Sequence, residues 1–416
     1  MPVDFTLPDH LPALLAEMDT FIDTEIAPLQ ADHMQYFDHR REFARTDLDN
    51  GGTPARAWED LLDEMRRRAD RAGWLRYSLP SSLGGRDGTN LDMAVIREHL
   101  AHKGLGLHND LQDESSIVGN FPQVIMMERF GTAAQRAQWS EALITGERSM
   151  AFGLTEPDHG SDATWLETTA VRDGDTWVIN GTKRFNTGVH RASHDLIFAR
   201  TSGEPGSATG ITAFLVPTDA PGFSVPFYWW TFNMPSDHGE VALRDVAVPA
   251  DAVLGEVDRG LEVAQTFLHE NRIRQAASSL GAAQYCIDRA ADYARERVVF
   301  GKPLARNQAV QWPLAELATE AQMVRLLVYY AAWHLDRDHH LEVSDKVAMA
   351  NYRANRLVCN AADQAMQTFG GLGYSRHEPF EHIYRHHRRY RITEGTEEIQ
   401  IRRVAQRLFG FDKRRR

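Results

Sequence analysis

Residues 169–188 read TAVRDGDTWVINGTKRFNTG. Apolar and polar positions alternate, broken at Asp173-Gly174 and again at Asn180-Gly181. Asp-Gly and Asn-Gly favour the positive φ angles of tight hairpins, so the stretch predicts two strands around residue 173 and a second turn at 180. LIFAR (196–200), ITAFLVP (211–217), GFSVPF (222–227) and EVALRDVAV (240–248) carry the period of two onward, with Gly and Pro in the gaps. Residues 151–257 therefore read as a compact antiparallel β-domain.

On both sides of this stretch the period is helical. Leu11, Leu14, Leu15, Met18, Phe21 and Ile22 recur at i, i+3, i+4, i+7. Further helices are expected over 55–72, 90–101, 115–130 and 133–144. Beyond the strands, amphipathic segments cover 258–297, 308–338 and 341–369, with a shorter one at 396–409. Four helices with short connections suggest an antiparallel bundle. The expected fold is α+β, mostly α: a helical domain over 1–150, the β-domain over 151–257 and a four-helix bundle over 258–416. This order is not that of a doubly wound sheet. GGLGYS (370–375) lacks a third glycine and follows a helix, so it is no dinucleotide fingerprint.

Composition excludes several classes. The chain is 43% hydrophobic and 25% charged, and no stretch approaches the roughly 18 apolar residues that span a bilayer. The N-terminus, MPVDFTLPDHLPALLAEMDTF, has no basic n-region, which points to a cytoplasmic protein. A net charge of −12 argues against a nucleic-acid partner. Cys286 and Cys359, the two cysteines, are expected to be buried reduced thiols. The basic runs RHHRRYR (385–391) and KRRR (413–416) are expected to be solvated faces. His334, His339 and His340 with Asp336 and Asp338 read as a charged loop, not as a metal site.

Four stretches could carry chemistry. AFGLTEPDHGSDA (151–163) is either a domain-junction loop or a loop whose N–H groups bind a pyrophosphate or a flavin edge. In KRFNTG (183–188), alternation puts Phe185 and Thr187 on one strand face, suited to a planar ring with a polar edge. In YARERVVFGKPLARNQAVQWPLAE (293–316), Arg297 near one helix end and the N–H groups of the next helix start suit a diphosphate. In QTFGGLGYS (367–375), Gly370, Gly371 and Gly373 permit close backbone approach. This last segment leads into ITEGTEEIQ (392–400), with three acids. Glu397 and Glu398 fall in a first helical turn, where the helix dipole accounts for Glu397 and makes it replaceable. Glu394 precedes the turn that Gly395 allows, and is the odd acid out.

Together these stretches resemble the acyl-CoA dehydrogenases over nearly the whole chain. The resemblance rests on Gly153-Leu154-Thr155-Glu156 through Gly160-Ser161-Asp162, on Arg297, Phe300, Gly301, Pro303, Leu304 and Gln308, on Gln367, Gly370, Gly371, Gly373 and Tyr374, and on ITEGTEEI. It implies FAD bound between the β-domain and the bundle and completed by a second subunit of a homotetramer. Thr155 and Thr187 would hydrogen-bond the isoalloxazine edge with Phe185 against the ring, and Phe152, Leu154 and Ser161 would line the same loop. Arg297, Phe300, Gln308, Gln367, Gly370 and Gly371 would hold the adenine and pyrophosphate, and Thr396 and Glu398 would touch the cofactor. Ser161, Arg272, Glu394 and Gly395 would meet the acyl-CoA.

The implied reaction is α,β-dehydrogenation of an acyl-CoA thioester to the 2-enoyl-CoA. Glu394 takes the α-proton, flavin N5 accepts the β-hydride, and electrons leave to an electron-transfer flavoprotein. The rivals are a same-fold oxidase or monooxygenase using O₂, and a non-catalytic acyl-CoA-binding scaffold. The sequence departs from the family where Phe185 replaces a frequent Trp, where His386 follows Tyr384-Arg385 in place of Asp, and where His269 precedes Arg272 in place of Asp. Trp229-Trp230-Thr231-Phe232 lies where the family varies, and reads as packing at the domain edge.

Overall fold

A computed structural model describes residues 6–110, 115–338 and 342–411, without the side chains of 269 and 270. His339, His340, the KRRR run and the His269 side chain lie outside the described residues. The chain forms two compact units, one of residues 42–60 and 120–271, the other of the remainder.

The first unit is built on an eight-stranded sheet. Its strands are β1 (Met150–Gly153), β2 (Thr169–Asp173), β3 (Thr176–Thr187), β4 (His194–Arg200), β5 (Ile211–Pro217), β6 (Phe223–Tyr228), β7 (His238–Pro249) and β8 (Val253–Leu254). The order is β8-β5-β4-β2-β3-β7-β6, with β1 beside β4. Most neighbours are antiparallel, and β1 runs parallel to β4. Ile197, Phe214, Val216, Val241, Leu243 and Val246 are all buried to 2% exposure or less in one core.

The hairpin at Asp173-Gly174 is present, but Asn180-Gly181 is not a turn. It is a bulge inside one twelve-residue strand, with the β3–β7 register shifting between Ile179 and Gly181. The Asn180 carboxamide bonds across to Asp245, donating to Oδ1 at 3.0 Å and accepting from the Asp245 N–H at 2.8 Å. Gly181 is required because a Cβ there would lie 2.4 Å from Thr168 Oγ1. A bulge absorbs the extra residue and lets the strand continue. A second register shift falls at Phe185, whose φ is +63°.

Helices α1 (His10–Phe21), α2 (Arg56–Arg71), α3 (Asn90–His102), α4 (Pro122–Phe130) and α5 (Ala133–Thr145) precede the strands. The helix expected over 115–130 begins only at Pro122, because Ile117 N–H and Ser116 Oγ both bond back to the His108 carbonyl and Pro122 suits a first helical turn. After the strands come α6 (Gly260–Glu296), α7 (Gln308–Leu335), α8 (Ser344–Phe369), α9 (Phe380–Arg388) and α10 (Glu397–Leu408). In the second unit, Ala276, Ala283, Ala350, Ala354 and Ala362 are wholly buried in an alanine-rich core. Gly281 of α6 meets α3, where a Cβ would lie 2.2 Å from the Glu98 carbonyl oxygen. Cys286 and Cys359 are buried there as free thiols, and burial pushes both above their ordinary range.

The basic run at 385–391 is helical in part but not solvated. Its residues 385–388 belong to α9, a helix the periodicity did not separate, and His382, His386 and His387 are buried to 1% exposure or less. His334 pairs with Asp338, and Asp336 accepts from the Asn90 backbone N–H at 2.7 Å, at the start of α3.

Candidate functional site

The short segment before α10 has an unusual backbone. Ile392 and Thr393 N–H both donate to the Arg389 carbonyl. Glu394 and Gly395 then take left-handed conformations, with φ of +57° and +87°. For a glutamate this costs on the order of 1–3 kcal/mol, which the surroundings must over-determine. They do so with side chains from two helices. Arg272 Nε of α6 donates to the Glu394 carbonyl at 2.8 Å. Gln400 Nε2 of α10 donates to the carbonyls of Glu394 and Gly395 at 3.1 and 3.0 Å. A Cβ at 395 would lie 3.0 Å from Arg272 Nη2, so glycine serves both the φ and the space.

Below this loop runs a buried amide network. Asn351 Nδ2 donates to the Arg272 carbonyl at 2.9 Å, and Asn355 Nδ2 to the Tyr390 carbonyl at 3.0 Å. Ser279 Oγ donates to Asn355 Oδ1 at 2.8 Å. Burial pulls the Arg272 guanidinium below its ordinary range, and the Glu394 carboxylate opposes that pull. The cation that pins the Glu394 carbonyl thus also feels its carboxylate.

The three acids of ITEGTEEIQ differ. Glu394 is half-buried and Glu398 exposed. Glu397 is not the replaceable surface acid expected from its place in a first turn. It is 9% exposed and bound bidentately by both Arg391 and Arg356 at 2.9–3.1 Å. Those hydrogen bonds hold its carboxyl down at about 2 against the opposing effect of burial. Thr396 caps α10, accepting from the Ile399 N–H.

In the β-unit, Phe185 and Thr187 are both exposed and Asn186 between them is buried. The Thr187 hydroxyl lies 2.9 Å from His238 Nδ1, directly across the β3–β7 register. The 154–162 loop is anchored by a buried ion pair, Lys183 Nζ to Glu156 Oε1 at 2.7 Å. Glu156 Oε1 also accepts from the Thr168 N–H at 2.9 Å, and the Thr155 carbonyl accepts from the Arg184 N–H. Leu154 and Thr155 are half-buried and Ser161 is exposed. The Phe152 ring is already committed, stacked on Phe267 at 4.2 Å. Trp229 donates its Nε1–H to Glu240 at 2.9 Å, and Trp230 donates to the Gly51 carbonyl at 2.8 Å.

In the bundle unit, Val298–Val299 and Lys302–Pro303 form a small hairpin with Phe300 fully exposed at its tip. Arg297 and Gln308 are exposed beside it, and Asn307 caps α7. Gln367, Gly370 and Gly371 are also exposed, and a Cβ at either glycine would meet open space. An exposed aromatic, a neighbouring helix start and bare glycine backbone suit a flat heterocycle carrying a diphosphate.

Sequence reasoning singled out Arg272, Glu394 and Gly395, which the fold brings together. It missed Gln400 and Arg391, whose partners lie five or six residues away across the left-handed turn, and Asn351, Asn355, Arg356 and His238, whose partners are set by tertiary register. The substituted His386 is buried with Nε2 2.9 Å from the Tyr390 hydroxyl, and burial, then Arg389, His387, His382 and Arg274, hold it well below the ordinary histidine range.

Comparison with known proteins is consistent along the chain. The acyl-CoA dehydrogenase N-terminal, middle and C-terminal domain models match residues 9–147, 151–246 and 258–409. The chain is 32% identical over 377 residues to the 3-(aryl)acrylate reductase of Clostridium sporogenes, covering 88% of this chain and 96% of that protein. It is 32% identical over 343 residues to the caffeyl-CoA reductase-Etf complex subunit CarC of Acetobacterium woodii, covering 82% and 87%. The crystal structure of acyl-CoA dehydrogenase from Geobacillus kaustophilus superposes with a TM-score of 0.78 at 26% identity, covering 98% of this chain and all of that one. With all three domain models in order and relatives above 30% identity across most of its length, the chain belongs to the acyl-CoA dehydrogenase family of FAD-dependent oxidoreductases.

Proposed function

We propose that this chain carries out α,β-dehydrogenation of an acyl-CoA thioester to the 2-enoyl-CoA, with Glu394 as the base and electrons passed to an electron-transfer flavoprotein. One observation carries the reading: Glu394 occupies a left-handed turn with Gly395, pinned through its carbonyl by Arg272 and Gln400. Such a turn fixes the backbone from which the carboxylate extends. FAD, when bound, supplies the hydride acceptor. Every other duty falls to the chain.

Glu394 removes the α-proton as its carboxylate, a step for which reach and orientation matter before acidity. Arg272 holds the backbone of the base and places positive charge near the enolate that develops. Phe185, Thr187, Thr155, Leu154, Phe152 and Ser161 would receive the flavin, with Phe152 contributing backbone because its ring is stacked. Arg297, Phe300, Gln308, Gln367, Gly370 and Gly371 would hold the adenine and diphosphate, and Thr396 and Glu398 would touch the cofactor. Ser161, Arg272 and Gly395 would meet the thioester side. The division into domains at 1–150, 151–257 and 258–416 belongs to the same reading. A homotetramer does too, supported by an exposed stripe on α7, Met323, Leu326, Tyr330 and Trp333, at spacings of three and four residues.

The same arrangement serves the reverse reaction, reduction of an enoyl thioester, and two relatives are named as reductases. The test is anaerobic mixing of FAD-loaded protein with butyryl-, octanoyl-, isobutyryl- and 3-phenylpropionyl-CoA, with light scattering giving the mass of the assembly. Substrate bleaches the flavin, and Glu394→Gln loses at least about 10²-fold of that rate while still binding FAD. Normal bleaching in Glu394→Gln would overturn the base assignment. Rapid reoxidation by O₂, with none by an electron-transfer flavoprotein, would favour an oxidase.

A further inference from the structure

Arg391 stands three residues before Glu394 and Glu397 three residues after it. Six residues apart, two side chains on one regular helix point to different faces. Here they meet, because the chain leaves a short 3₁₀ turn at Arg389–Arg391, doubles back through left-handed Glu394-Gly395 and re-enters a helix at Glu397. Arg391 Nε and Nη2 donate to Glu397 Oε2 and Oε1 at 2.9 and 3.0 Å. Arg356 of α8 repeats the fork from the other side, Nε to Oε2 and Nη2 to Oε1, both at 3.1 Å. Two parallel N–H···O bonds fix orientation as well as distance. The two arginines are jaws on Glu397, and Glu394 lies midway in the chain between Arg391 and Glu397.

We propose that the Arg391–Glu397 pair is a staple closed across the catalytic turn, anchored to α8 by Arg356, whose task is to position Glu394 for proton abstraction. This rests on the reading of Glu394 as the base. Arg272 and Gln400 pin the turn from its carbonyl side; the staple fixes where the chain enters and leaves it. Without the staple, the chain on either side of the left-handed Glu394 loses its tie, and residues 391–397 can relax toward less strained backbone. Arg391 and Glu397 are positioning residues: they act on the reaction through the geometry of the base. The low carboxyl range of Glu397 agrees with the double clamp, since an acid that stays ionised keeps the staple closed throughout the physiological range.

The discriminating variant is Arg391→Gln, which opens the staple while leaving Glu397 paired with Arg356, so the helix start stays supported. Glu397→Gln, which removes both jaws, is the companion. The reading is single-turnover flavin reduction, under anaerobic conditions, by whichever of the four acyl-CoAs bleaches the wild-type flavin fastest. Arg391→Gln is expected to slow the limiting rate constant about 10-fold or more, as a displacement of about an ångström does, while the half-saturating acyl-CoA concentration and the FAD content stay close to wild type. The double variant should be no slower than Glu397→Gln alone, because the two residues act as one unit. A purely structural role would lower FAD content or thermal midpoint and leave the rate of the loaded fraction untouched, and that result overturns the staple. So does a wild-type limiting rate in Arg391→Gln beside an inactive Glu394→Gln, which leaves the base assignment standing. Normal bleaching in Glu394→Gln overturns the base and the staple together.

Discussion

Two buried acids, one in each unit, behave in opposite ways. Asp195 on β4 is fully buried, and its hydrogen-bond donor is the neutral carboxamide of Asn186, on Oδ2. Its other oxygen and the Asn186 Oδ1 have no hydrogen-bond partner among the described residues. Burial pushes its carboxyl up to about 7, against the Asn186 hydrogen bond and the more distant Lys183. Glu397 lies nearer the surface, at 9% exposure against none for Asp195, and two guanidinium forks hold it at about 2. Deeper burial at Asp195 and charged partners at Glu397 drive the two carboxyls apart. Lys183 cannot play the arginines' part for Asp195, because its ammonium is bound to Glu156 and the Leu154 carbonyl.

The strongest way to break this contrast is to strip a partner from a buried charge. Lys183→Met leaves Glu156, 4% exposed, without its cation. The expected cost is about 3–5 kcal/mol, read from urea unfolding of the apoprotein, because an uncompensated buried charge remains. A loss under about 1 kcal/mol would mean that the backbone N–H groups of the 167–168 segment hold Glu156 unaided.

Much of this was legible in the residues themselves. The alternation around Asp173-Gly174 marked the sheet, and Gly395 beside an acid marked the turn, because both signals are local. What was lost depends on partners distant in sequence. Asn180-Gly181 has the composition of a hairpin turn, yet Asn180 spends its amide on Asp245, 65 positions away. Glu397 has the position of a dipole acid, yet one of its arginines comes from α8, 41 positions back. His238 meets Thr187 only through strand register. The basic run at 385–391 read as a solvated face, but which side of it is buried depends on the core beside it. Local pattern reported conformation well and charge environment poorly.

The middle-sized test uses pH. Asp195 binds its proton in the folded state up to about 7, whereas the unfolded value is 3.8. Between those values the native state holds the extra proton, so Asp195 makes stability fall as pH rises, by up to ~1.4 kcal/mol per pH unit. Glu397 works the other way: its contribution is complete above the unfolded value of 4.5 and is lost as pH falls toward about 2. Urea midpoints of wild type, Asp195→Asn and Glu397→Gln across pH 3–8 should therefore separate two limbs. Asp195→Asn flattens the limb between pH 4 and 7, and Glu397→Gln flattens the acid limb. An unchanged slope in Asp195→Asn would show that the Asp195 carboxyl is ionised throughout.

The smallest effect belongs to the third acid. Glu398 lies one residue beyond Glu397 in the same first turn of α10, but is exposed. Its contribution to the apoprotein is that of a negative charge near a helix N-terminus. Glu398→Gln should cost no more than about 0.5 kcal/mol and should fade in high salt. Both acids feel the same dipole, so the difference between the two substitutions isolates the arginine clamp. A Glu398→Gln cost equal to that of Glu397→Gln would assign the weight of position 397 to the dipole, and the contrast with Asp195 would then rest on helix position instead of ion pairing.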